Sequence, residues 1–251
     1  MRNICLIAEY DGSAFCGFQK QNNAITVQGE IEKAIQIITG SYSKTIGAGR
    51  TDAGVNSDNQ HINFFTESNI PAEKIKLALN TKVAPEISIK ESFEVPMSFN
   101  ARYSAIKKTY RYRILNTLTH SPIRRNQVLH VPVELDFNSM KKAWSMICGE
   151  NDFTAFCKTG SDRVSMICNI LETDSYIKDD ELIFLITGDS FLRGMVRLLI
   201  GTLILVGKNK IKSDDLLEII KSKDKTKVGG LAGASGLNLI KIYYPKDSFI
   251  I

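Results

Sequence analysis

A chain of 251 residues, 43% hydrophobic and 24% charged with a net charge of +5, sits near the globular averages, so a packed core is expected. The length allows one large domain or two of about 100–150 residues. Five cysteines, at 5, 16, 148, 157 and 168, lie far apart, and with His61, His120 and His130 they indicate no metal site and no disulfide framework. Glu9 and Asp11 come too early for a signal-peptide core, and the longest apolar run, Leu198 to Val206, is too short to span a bilayer. A reducing compartment, the cytoplasm, and no membrane are expected.

Residues 2–9, rich in Ile and Leu, predict a first strand. Val27, Ile31, Ala34, Ile35 and Ile38 recur at helical spacing, with Thr26 placed to cap the start and Gly40 past the end. A second strand precedes Gly47 and a third covers 59–66. Pro71 opens a second helix with Ile75 and Leu79 inward, and 87–94 makes a fourth strand. The order is βαββαβ. The second half repeats it with a strand at 107–115, then a helix carrying Met140, Ala143, Trp144 and Ile147 between Asp136 and Gly149. Strands at 164–176 and 182–188 flank a polar turn, a helix runs from Ser190 to Val206, a short helix starts near Ser213, and 237–244 is the last strand. Two such units imply an α+β chain of two ferredoxin-like subdomains, 1–104 and 105–251, each a four-stranded antiparallel sheet with two helices. No flexible linker separates them, so one continuous body is expected.

The stretch Gly47–Asn56 combines glycines at 47, 49 and 54 with Arg50 and Asp52. Glycine permits backbone conformations that a Cβ forbids. On an extended backbone Arg50 and Asp52 leave on one side. A carboxylate held stiffly beside an arginine suits a nucleophile or an ion-stabilising group; composition alone favours a surface turn with an ordinary ion pair. Elsewhere, no acidic residue lies between Glu94 and Glu134, whereas Arg102, Lys107, Lys108, Arg111, Arg113, Arg124 and Arg125 do. Tyr103, Tyr110 and Tyr112 are interleaved, a pattern that suits a phosphate backbone with stacked bases, or simply a solvated basic face. In the apolar fourth helix Arg193, Gly194, Arg197 and Gly201 share one stripe. Small residues beside a charge let another backbone approach, and an arginine there calls for a carboxylate.

Gly49-Arg50-Thr51-Asp52-Ala53-Gly54-Val55 resembles the catalytic-loop signature of the tRNA pseudouridine synthase A family. Tyr10–Gln19, Thr26–Glu30, Phe99–Ala105, Lys108–Tyr112, Asp152–Phe156 and Phe191–Arg197 resemble further blocks of the family, in its order, from residue 10 to about residue 244. The resemblance implies two ferredoxin-like units joined edge to edge into one extended antiparallel sheet with the active cleft between them. It implies isomerisation of uridines at positions 38, 39 and 40 of the tRNA anticodon stem-loop, without cofactor or metal. Asp52 would be the nucleophile at the glycosidic carbon, and Arg50 would fill the space left by a flipped-out base. Tyr110, otherwise an ordinary core ring, would pack against the uracil, and Arg197 would form an ion pair with Asp52. Phe99, Asn100, Ala101, Arg102, Tyr103, Lys108, Arg124 and Arg125 would bind the tRNA. The family's working unit is a homodimer, with the tRNA elbow on one protomer and the anticodon arm at the partner's cleft.

The chain departs from the family pattern at Phe18, usually Trp, at Asn56, usually His, and at Gly233-Ala234, usually Pro-Pro. Two other functions compete. A non-catalytic RNA-binding protein would present aromatics on a ferredoxin-like sheet and would not need Asp52. A nucleotide enzyme could cradle phosphate in 47–54, but the Gly-Lys-Ser/Thr of a P-loop is absent.

Overall fold

The computed structural model describes residues 1–160 and 164–249. Its elements in chain order are β1 (Arg2–Tyr10), α1 (Val27–Thr39), β2 (Ile46–Gly47), β3 (Asn56–Thr66), α2 (Ala72–Asn80) and β4 (Ile87–Val95). They continue with β5 (Lys107–Leu115), β6 (Leu129–His130), α3 (Phe137–Ser145), β7 (Gly149–Asp152), β8 (Ile167–Lys178) and β9 (Glu181–Gly188). Last come α4 (Met195–Gly207), α5 (Asp215–Ser222) and β10 (Leu237–Tyr243). The fold is mixed α+β, as expected. Among the described residues no helix is long and apolar enough to cross a membrane.

Two compact units form, one of Met1–Lys108 with Asn238–Ile251 and one of Thr109–Leu237. In the first, β1 lies between β3 and β4, antiparallel to both, and β2 adds to the far side of β3. This is the ferredoxin-like order that the βαββαβ pattern implied. Residues of β10 also pair with β3, in parallel, Asn238 opposite Asn56 and Leu239 opposite Ser57. The last strand therefore belongs in part to the first unit.

Both caps of α1 follow from local chemistry. The Thr26 hydroxyl accepts the Gly29 N–H at 3.2 Å, and Gly40 closes the helix with φ of 75°. Each cap of this kind stabilises a helix by about 1 kcal/mol. The helix buries Val27, Ile31, Ala34 and Ile35 against Ile4, Leu6, Ile62, Phe64 and Ile89 of the sheet. The other sheet face is covered by the chain after β4. Asn3 donates to the carbonyls of Pro96 and Phe99, and Asn63 donates to Asn3 while accepting from Ala101 N–H.

In the second unit β9 lies between β5 and β8, and β7 extends the sheet beyond β8. The strands β6 and β7 were not expected from the sequence; each is too short to show a periodic pattern. Asp136 caps α3 through Ser139 N–H at 3.0 Å. The fourth helix begins later than expected, at Met195 rather than Ser190. Gly194 stands at φ of 70°, a left-handed conformation that α-helix cannot contain, so Arg193 and Gly194 lie before the helix and not on its stripe. The end of α4 meets the start of α3, where the Gly207 carbonyl accepts Asp136 N–H at 2.8 Å.

Candidate active site

Residues 47–56 form a loop whose backbone is held from below at successive points. Ala48 N–H donates to the His61 carbonyl at 2.8 Å, and the Gln60 amide donates to the Gly49 carbonyl at 2.7 Å. The Thr51 carbonyl accepts Phe18 N–H at 3.1 Å, and its hydroxyl bonds the Tyr10 hydroxyl at 2.9 Å. Asp52 opens a tight turn, closed by Val55 N–H to the Asp52 carbonyl at 3.1 Å with Gly54 at φ of 78°, the conformation the third position of a type II turn requires. Close packing explains Gly47 in the loop and Gly12 beside it. A Cβ on Gly12 would overlap the Val55 carbonyl, and one on Gly47 would enter the Phe18 ring.

The pattern of exposure along the loop fits an extended segment. Arg50 is exposed, Thr51 is buried and Asp52 is half-buried. Thus Thr51 turns inward to Tyr10 while the two charged side chains flank it. Two departures from the family pattern have structural roles in this chain: the Asn56 amide oxygen accepts Gly12 N–H at 2.8 Å, and Phe18 seats its ring on Gly47.

The groups that back the loop are buried and neutral. Burial pushes the Tyr10 phenol up to about 12, opposed by its hydrogen bonds, so it remains protonated. Burial likewise pulls His61 down to about 4.

The turn after β4 separates its residues by side. Phe99 is buried against Tyr244 and Phe249, and Ala101 is wholly buried. The Asn100 side chain accepts the N–H groups of Arg102 and Tyr103, at 3.0 and 3.1 Å. That cap turns Arg102 and Tyr103 outward, with the guanidinium 5.5 Å from the Tyr103 ring centre and the ring 77% exposed. Phe99 and Ala101 anchor the turn, and Arg102 and Tyr103 are the two it presents. Lys108, at the end of the first unit, is half-buried.

In the second unit, Tyr110 is a buried residue of β5 whose ring meets Phe191 edge-on at 5.0 Å. Arg197 lies on the first turns of α4, half-buried. Its Nε donates to the Ala232 carbonyl at 2.7 Å, and Ala232 N–H donates back to the Arg197 carbonyl at 3.2 Å. The small-residue stripe does admit another backbone, since a Cβ on Gly201 would overlap the Gly230 carbonyl. Gly233, the third departure, accepts the Tyr112 hydroxyl at 2.6 Å. Tyr112 is pushed up by burial, which the nearby Arg197 charge opposes.

Arg124 and Arg125 separate by environment. Arg124 grips Asp180 with both terminal nitrogens, at 2.6 and 2.7 Å, and reaches Glu181 at 3.0 Å. Arg113 grips both carboxylate oxygens of Glu181, at 2.6 and 2.8 Å, and shares Oε1 with Arg124. These two arginines of the acid-free segment are therefore paired with carboxylates distant in sequence. Arg125 is exposed, with one bond to the Pro122 carbonyl at 3.1 Å.

Sequence reasoning did not single out Gln60, which looked like one polar residue within a strand, nor the hydroxyl of Tyr10. A fully buried glutamine on β3 beside the loop becomes visible only once the register is known. In the Asp152–Phe156 block, the Asp152 carboxylate accepts the Thr154 N–H at 2.9 Å, and Phe153 and Phe156 are wholly buried.

The chain can now be set beside known proteins. A family model described as tRNA pseudouridine synthase matches residues 6–104 and 143–245. The match leaves out 105–142, which holds Tyr110, Arg124 and Arg125. The tRNA pseudouridine synthase A of Acetivibrio thermocellus is 45% identical over 244 residues, covering 97% of this chain and 100% of the relative. The protein of the same name from Caldicellulosiruptor saccharolyticus is also 45% identical with the same coverage, and that of Clostridium acetobutylicum is 43% identical over 244 residues.

Proposed function

The chain belongs to the tRNA pseudouridine synthase family, and on that premise we propose that it isomerises uridine to pseudouridine at positions 38, 39 and 40 of the tRNA anticodon stem-loop, with Asp52 as nucleophile. The observation that carries the residue assignment is the Asp52 turn itself. Its backbone is tied down on both sides, and its carboxylate is half-buried beside an exposed arginine. A group held in this way needs little reorganisation when the reacting carbon arrives.

The reaction breaks the N1–C1′ bond of uridine and rejoins the ring through C5, and the C5 proton leaves. As the glycosidic bond breaks, C1′ becomes electron-poor, and the Asp52 carboxylate captures or stabilises it. The target base must first leave its stack, at a cost of a few kcal/mol, and Arg50 takes the vacated space. Tyr110 packs against the uracil with its hydroxyl toward the departing proton, and Arg197 supplies positive charge for the reaction. Phe99, Asn100 and Ala101 shape the turn that offers Arg102 and Tyr103 to the RNA, with Lys108 and Arg125 as further phosphate contacts and Arg124 holding the segment that carries Arg125. The working unit is a homodimer in the cytoplasm that engages the tRNA elbow as well as the anticodon arm.

The reading is tested with tRNA tritiated at uridine C5, followed by mapping of the modified positions. Tritium release with pseudouridine at 38, 39 and 40 is expected; release confined to other positions would reject the site assignment. Mass in solution at micromolar concentration should be twice the 28.0 kDa of the chain. A fully active monomer would remove the dimer from the proposal.

A further inference from the structure

We infer that Tyr10 and Gln60 are positioning residues for the reaction, a buried clamp that fixes the Asp52 loop through Thr51 and Gly49. The inference rests on Asp52 as the reacting carboxylate. Both clamp residues are closed to solvent, Tyr10 at 3% and Gln60 at 0% exposure, and both are aimed at the loop from neighbouring strands of the first unit. Gln60 Nε2 donates to the Gly49 carbonyl at 2.7 Å, and the Tyr10 and Thr51 hydroxyl oxygens are 2.9 Å apart. Gly49 and Thr51 flank Arg50, and Thr51 directly precedes Asp52. The clamp therefore holds the Gly49 carbonyl and the Thr51 side chain, each within one residue of a charged side chain.

An amide nitrogen can only donate, so at 3.5 Å the Tyr10 oxygen accepts from Gln60. The Tyr10 and Thr51 hydroxyls share the next bond, so Gln60, Tyr10 and Thr51 form one connected chain. Turning the Gln60 amide over would set its oxygen against the Gly49 carbonyl, so its orientation is determined. In that orientation the Gln60 Oε1 meets no donor among the described residues. A buried acceptor left in this way has a cost in stability. A methionine of similar length would avoid the cost but would release both Gly49 and Tyr10. The amide's value lies in the two contacts it makes toward the loop.

The role predicts a separation between rate and binding. Tyr10→Phe keeps the ring and loses the hydroxyl; Thr51→Val removes the partner hydroxyl and keeps the side chain's shape. Each should lower the single-turnover rate on saturating tRNA by about 10- to 100-fold, the range expected when a reacting group shifts by up to about 1 Å. The tRNA Kd and the urea midpoint should stay near wild type. The double variant should be no slower than either single variant, because the two act through one bond, and Thr51→Ser should restore most of the rate. If Tyr10→Phe does not purify folded, the Thr51 pair carries the same test. Asp52→Asn is measured alongside. If Asp52→Asn still turns over, the reading of Asp52 fails and the clamp's role falls with it. If Asp52→Asn is silent while Tyr10→Phe and Thr51→Val react at the wild-type rate, the clamp is overturned and Asp52 stands.

Discussion

Two glycine-lined loops, one in each unit, do opposite work with the same material. Residues 47–56 and residues 229–236 both lie where glycine allows backbone to approach backbone, Gly12 against Val55 in the first and Gly201 against Gly230 in the second. The first loop is gripped by buried side chains beneath it, and its own charged side chains stay outward. The second reverses this. Its carbonyls at Ala232 and Gly233 receive Arg197 and Tyr112, so its backbone orients side chains borne by α4 and β5. A loop that carries the reactive group must itself be held, whereas a loop that holds another group needs only its carbonyls in place.

The comparison is broken most severely at its close contacts. Gly12→Ala and Gly201→Ala each force a methyl onto a carbonyl oxygen, and backbone cannot swing aside as a flexible side chain can. Each should lose about 3 kcal/mol or more of stability in urea unfolding. Gly230→Ala is the control, since nothing lies within 4 Å of its Cβ position, and it should stay within about 0.5 kcal/mol of wild type.

A second feature of the first loop is that its backing titrates. His61, whose carbonyl receives Ala48 N–H, is 6% exposed and pulled by burial from its ordinary 6.5 to about 4. Between those values the unfolded chain binds more protons than the folded one, so stability rises with pH. The contribution is full above about pH 6.5 and is lost as pH falls through about 4. It should amount to about 3 kcal/mol, read as a fall in the urea midpoint from pH 7 to pH 4. His61→Phe, in a pocket already lined by Tyr244 and Phe249, should flatten this dependence. An unchanged slope would mean that His61 is charged in the folded protein.

Smaller effects should separate the paired from the unpaired arginines. Arg102→Ala and Arg125→Ala should each reduce the log–log salt slope of tRNA binding by about 0.7–0.9, with little change in stability. Arg124→Ala should do the converse. It leaves the slope nearly unchanged and lowers stability by about 1 kcal/mol, because Asp180 and Glu181 lose a shared partner at a partly exposed site. Equal salt slopes for all three variants would show that sequence position, rather than pairing, governs the contact with RNA.

That last contrast also shows how far the sequence could be read. The helices came from apolar spacing and caps, because Thr26, Gly40 and Asp136 act through neighbours within four residues. The start of α4 was missed because a left-handed Gly194 looks like any glycine beside an apolar helix. The basic segment 95–133 reads as uniformly cationic, yet Arg113 and Arg124 are matched by Asp180 and Glu181, 56 to 68 residues away. Charges that far apart in sequence carry no local signal. In the same way the turn at Gly54 was legible from the glycines of the loop, while the loop's support by Gln60 required the register of β3.

If the Asp52 carboxylate performs the chemistry as proposed, Asp52→Asn removes the reacting group and little else. The substitution is isosteric, lies in a loop and leaves Val55 N–H bonded to the residue's carbonyl. Tritium release from C5-labelled uridine in tRNA, measured under single turnover, should fall by more than about 10³-fold, or roughly 4 kcal/mol of barrier. The tRNA Kd and the unfolding midpoint should remain close to wild type. Retention of more than a few per cent of the rate would contradict the account.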